Sequence, residues 1–189
     1  MSKQRGKVSS SDITGGAGES FEQHVDAVFL AMLLVRAIPP VLTDCQVKEV
    51  HFQTQHLGWE TDDVLVVGNN GAGEQRSLAC QVKRTFTVSS SGADCEETFS
   101  GFWHDFSEAS RFDRSHDCLA LVTLRGTNTL LHVFNSMLDC ARASLDAKDF
   151  LHRLSTPGYI DKKARWYADE IHLIVNKAAG REVPEDGRR

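Results

Sequence analysis

The chain has 189 residues, with 21 Lys or Arg against 26 Asp or Glu and a formal net charge of −5. That length suits one domain with a real hydrophobic core, and 41% hydrophobic residues together with 14 glycines exclude wholesale disorder. The acidic balance argues against a protein that coats nucleic acid by bulk charge, yet it leaves room for a local basic groove around an acidic metal site.

Residues 1–14 carry Lys3, Arg5 and Lys7 against Asp12 and show no apolar period. They read as a flexible arm without the apolar core of a secretory signal, so a cytoplasmic location is expected. GGAGES then offers a turn with Ser20 as a cap, and Phe21, Val25, Val28, Met32 and Val35 follow at helical spacing before Pro39-Pro40. No Gly-Lys-Ser/Thr follows those glycines and no strand precedes them, which removes a phosphate-cradling loop. The run Ala27 to Val35 is half the roughly 20 residues needed to cross a bilayer and reads as a buried helix.

Cys45 to Gln55 is rich in β-formers, and Asp63 to Val67 and Leu78 to Val82 are short apolar runs on either side of GNNGAGEQ, whose composition is that of a turn. Three strands are therefore expected, the second and third as a hairpin. Phe99, Phe102, Trp103 and Phe106 recur at the i, i+3, i+4, i+7 spacing of a core-facing helix. A strand at Cys118 to Leu124 follows, then helices at Asn128 to Ala143, Asp146 to Leu154 and Asp161 to Asn176. The expected organisation is an arm (1–14), an α/β domain (15–178) and a polar linker (179–189) to a C-terminal region beyond it. The five cysteines are odd in number and widely spaced, which suits reduced core thiols.

One constellation in this order can carry chemistry. Successive strand residues alternate in direction, so Gln81 and Lys83 share a face opposite Leu78, Cys80 and Val82. If Val66 pairs with Leu78, Val64 meets Cys80 and Asp63 lies across from Gln81; a slip of one residue would put Asp62 there instead. A carboxylate, an amide oxygen and the Val82 carbonyl are ligands for a hard cation such as Mg²⁺, with Mn²⁺ able to replace it. Glu22 on the first helix is the best candidate for the extra carboxylate that a neutral Gln81 calls for. Lys83 would orient the attacking water or stabilise charge on a phosphate. The plain alternative is that Asp, Gln and Lys at strand ends are ordinary solvated residues.

The stretches GESFEQHVDAVFLAMLL, TDDVLVVG, LACQVKRTFTVSSS and FSGFWHDF resemble the PD-(D/E)xK nuclease superfamily in its D…QxK form. More narrowly, they are similar to the double-stranded-DNA endonuclease domain at the N-terminus of bacterial antiphage proteins, among them CBASS effectors and STAND-type NTPase sensors. The resemblance covers roughly residues 15–125. It implies a restriction-endonuclease-like α/β core with a mixed central sheet flanked by helices, a divalent metal, cleavage of double-stranded DNA, and a sensor or ATPase region that activates the domain by homo-oligomerisation. It also implies catalytic roles for Asp63, Gln81, Lys83 and Glu22. The motif's Pro is replaced by Thr61-Asp62 and its usual Glu by Gln81.

Lys83, Arg84 and Thr85 abut the proposed metal site and are the first choices for contact with DNA phosphates. Arg142, Lys148, Arg153, Lys162, Lys163 and Arg165 are interspersed with acids and equally suit a mixed solvated surface. No HExxH, GxSxG or GxGxxG pattern occurs. A non-catalytic DNA-binding or oligomerisation module on the same fold, or a nuclease directed at RNA, remain the competing readings. No membrane partner is expected.

Overall fold

A computed structural model describes residues 15–125 and 128–181. Helix α1 (Gly15–Val35) leads into strands β1 (Cys45–Phe52), β2 (Val64–Asn70) and β3 (Gln75–Thr85). Helix α2 (Ala93–Ser107), strand β4 (Cys118–Arg125) and helices α3 (Asn128–Arg142), α4 (Ala147–Ser155) and α5 (Lys162–Ala178) complete the domain. The arm of residues 1–14 and the linker beyond residue 181 lie outside the described residues. Among the described residues no helix is long and apolar enough to cross a membrane.

The fold is mixed α/β. Four strands lie in the order β1-β2-β3-β4; β1, β2 and β3 are antiparallel neighbours, while β4 runs parallel to β3. The short turn of residues 71–74 can only join antiparallel strands, whereas the long connection through α2 permits the parallel pairing of β4. Strand alternation splits the sheet into two apolar faces. Val64, Val66, Leu78, Cys80 and Val82 pack with Val25 and Phe29 of α1. On the other face Leu65, Val67 and Ala79 pack with Trp59 and Phe112, and Phe86 and Val88 beyond the end of β3 join α2 to α5 in a third cluster. All five cysteines are free, with Cys45, Cys80 and Cys95 buried.

Three expectations need correcting. Helix α1 starts at Gly15, so GGAGES is helical and Ser20 is no cap; its carbonyl instead accepts a hydrogen bond from His24 Nδ1. The same helix is buried along one side only: Val25 and Phe29 are covered, whereas Leu34 and Val35 are 85% and 75% exposed. An all-apolar run says that a helix favours burial but not how many neighbours it has. In α2 the aromatic stripe is only partly core, since Phe99 is buried but Phe106 is exposed. What α2 buries toward its C-terminal end is Gly101 and Asp105.

Candidate functional site

The β2–β3 hairpin pairs Val66 with Leu78 and Val64 with Cys80, the register that brings Asp63 rather than Asp62 to Gln81. Asp63 stands one residue before the ladder begins. Its backbone is fixed there by the end of β1, because Asp63 O accepts from Gln53 N at 3.2 Å and Asp62 O from Thr54 N at 2.7 Å. Gln53 makes this turn in the left-handed region at φ 53°, and its side-chain Nε2 donates to Glu22 Oε1 at 2.8 Å. The end of β1 thus ties α1 to the strand ends.

From this position the Asp63 carboxylate replaces the missing strand partner of β3. Its Oδ2 accepts from Gln81 Nε2 at 2.5 Å and from Val82 N at 2.6 Å. Gln81 is only 4% exposed. With Nε2 turned to Asp63, its Oε1 is the atom left to accept. Lys83 is the next residue on the same face, and its ammonium lies 3.3 Å from Glu97 Oε1 on α2. Asp62 is half-buried beside this group, and no side-chain hydrogen bond joins it to Gln81 or Lys83.

The electrostatics of Asp63 follow from its surroundings. Burial pushes its carboxyl up from 3.8 to about 6; the Val82 N–H opposes this, the Glu22 and Asp62 charges raise it further, and Lys83 offsets them in part. A half-buried carboxylate near two others, with only Lys83 to offset them in part, has too little positive charge around it. A hard divalent cation fits that deficit, and every donor here is oxygen: the Asp63 carboxylate, the Gln81 amide, the Val82 carbonyl and Glu22. Val82 suits the set because N–H and C=O of one strand residue face the same neighbour, and its N–H already faces Asp63. Among the described residues no three His, Cys, Asp or Glu side chains form a metal-holding group, so the set relies on neutral oxygens beside its carboxylates.

The structure therefore brings Asp63, Gln81, Val82 and Lys83 together and sets Glu22 close enough for its charge to act on Asp63. Arg84 and Thr85 are exposed just beyond them on β3. The basic residues of the later helices are less available. Arg142 pairs with Asp139 and Arg153 with Asp149, each at 3.0 Å along its own helix, and Arg165 donates to Thr156 O at 3.4 Å. Lys148, Lys162 and Lys163 are exposed.

Sequence reasoning missed what α2 contributes. Besides Glu97, its Asp105 is 1% exposed and accepts from Glu60 N at 3.0 Å and Thr61 N at 2.7 Å. Glu97, Gly101 and Asp105 recur every four residues and so share one side of the helix, but nothing in a helical period of acids and glycine says what faces it. No protein-family model, curated protein or solved structure matches this chain.

Proposed function

We propose that this domain is a metal-dependent endonuclease that hydrolyses phosphodiester bonds of double-stranded DNA on a restriction-endonuclease-like core, an antiphage effector switched on by oligomerisation. The observation that carries this reading is the meeting of Asp63, Gln81 and Lys83 at the ends of neighbouring strands, with Glu22 supplied by α1. The resemblance of the D…QxK segments to DNA endonucleases chooses the substrate.

Asp63, Gln81 Oε1, the Val82 carbonyl and Glu22 would hold Mg²⁺ or Mn²⁺. When bound, that ion supplies Lewis-acid stabilisation of a phosphate and acidifies a water. Asp63 does its part ionised; burial pushes its carboxyl up in the metal-free chain, and a bound cation would favour the ionised form. Gln81 and the Val82 N–H keep the carboxylate oriented through Oδ2. Lys83 brings a positive charge to the phosphate side of the site, and Glu97 keeps its ammonium close by when DNA is absent. Arg84 and Thr85 extend the same strand toward the phosphates that flank the scissile bond.

Incubating the purified domain with plasmid DNA and with structured RNA, each with Mg²⁺ and with chelator, tests the reading. Chelator-sensitive cleavage of plasmid is expected. Cleavage of RNA alone would move the substrate class, and binding of DNA without cleavage at any protein concentration would make this a non-catalytic module.

A further inference from the structure

Asp105 is a buried carboxylate on α2 whose partners are far away in sequence. Both of its oxygens are used, Oδ1 by Glu60 N and Oδ2 by Thr61 N. Arg111 adds a charge from outside: its guanidinium lies 3.4 Å from Asp105 Oδ1, bonds the Gly58 carbonyl and covers the Trp59 ring. One turn back on α2, Gly101 lets the helix come close, since a Cβ there would lie 3.2 Å from Glu60 O. The segment held in this way, residues 58–61, runs directly into Asp62 and Asp63.

We infer that Asp105 is a positioning residue for the candidate site: it clamps the 58–61 segment to α2 and so fixes where Asp63 meets Gln81 and Val82. The inference rests on the endonuclease reading only for its consequence in catalysis; the clamp itself is a matter of geometry. Glu97, on the same side of α2, lies 3.3 Å from the Lys83 ammonium, so the helix that carries the clamp also borders the basic half of the site.

Asp105→Asn replaces one acceptor oxygen by an NH₂ that faces a backbone donor, so either Glu60 N or Thr61 N loses its partner. The readout is hydrogen exchange at the Val82 amide, whose acceptor is the Asp63 carboxylate rather than strand backbone. In Asp105→Asn it should exchange about tenfold faster relative to the ladder amides of β2 and β3. Met137→Ala, in the core between the later helices, should lower stability yet leave that ratio unchanged. Unaltered Val82 exchange in a folded Asp105→Asn protein overturns the inference, and so does an equal rise in Met137→Ala. Should Asp105→Asn fail to fold, Gly101→Ala pushes on Glu60 from the helix side and must give the same selective rise. Plasmid cleavage by the wild-type domain is scored separately: selective exchange with no cleavage leaves the clamp standing and removes the nuclease, while cleavage without selective exchange does the reverse.

Discussion

At the residue scale the informative quantity is the proton on Asp63. Its carboxyl ionises at about 6 in the folded chain against 3.8 ordinarily, so between about pH 4 and 6 the folded state holds a proton that the unfolded state has lost. Stability therefore falls as pH rises through this window, and above it the cost of a half-buried charge is fully present. Asp63→Asn removes that cost. The variant should unfold at a higher temperature than wild type at pH 8, with the difference vanishing by pH 3, where both side chains are neutral. Mg²⁺ should raise the wild-type midpoint at pH 8 but not that of Asp63→Asn. Equal midpoints for the two proteins at pH 8 would show that Asp63 is not strained by its surroundings.

The neighbouring residues supply controls. Asp62→Asn matches Asp63→Asn in charge and place, but only Asp63 reaches Gln81 and Val82. Mg²⁺-dependent cleavage should be lost in Asp63→Asn and largely kept in Asp62→Asn; tolerance of both would remove the metal site. Lys83→Ala should lower cleavage at least about a hundredfold. Its unfolding midpoint should fall only modestly, because the Lys83–Glu97 pair has a largely exposed partner and contributes little, while Asp63 loses part of the positive charge that offsets its burial. Cleavage at the wild-type rate would take Lys83 out of the chemistry.

At the scale of elements, what could be read from the sequence divides by the range of the contact. The hairpin register was legible only in part. A short turn between the two runs allows few pairings, and the one that sets Val66 against Leu78 and Val64 against Cys80 brings Asp63 to Gln81. Both faces of β2 and β3 are apolar, however, so the hydrophobic pattern alone left the one-residue slip to Asp62 open. The α2 clamp was not legible, since Asp105 meets Glu60 and Thr61 across 45 and 44 residues and a lone acid beside an aromatic stripe looks solvated. The far end of β2 shows how tightly the same strand is held. A Cβ at Gly68 would lie 2.9 Å from Cys45 Cβ and 3.2 Å from Gln46 O. Gly68→Ala should thus spread β1 from β2 and cost about 1–3 kcal/mol. Denaturant unfolding measures this, and an unchanged midpoint would mean that β1 yields without loss.

At the scale of the whole molecule the number of sites limits what one copy can do. The candidate site is single, built around one Asp63 and one Lys83, and a single hydrolytic site acts on one strand of a duplex at a time. A double-strand break then needs two copies placed on opposite strands, and association raises the effective concentration of the second site by holding it near the first cut. Two-fold symmetry is the simplest way to match two sites to two antiparallel strands. At low concentration the domain should nick supercoiled plasmid slowly and yield little linear product. As protein concentration rises, linear product should grow more than in proportion, and fusion to a forced dimer should restore it at dilutions where the separate chain only nicks. Agarose gels separate nicked from linear circles, and light scattering gives the mass of the active species. Efficient linearisation by a dilute monomer, at a rate strictly proportional to concentration, would overturn control by assembly while leaving the roles proposed for Asp63, Gln81 and Lys83 intact.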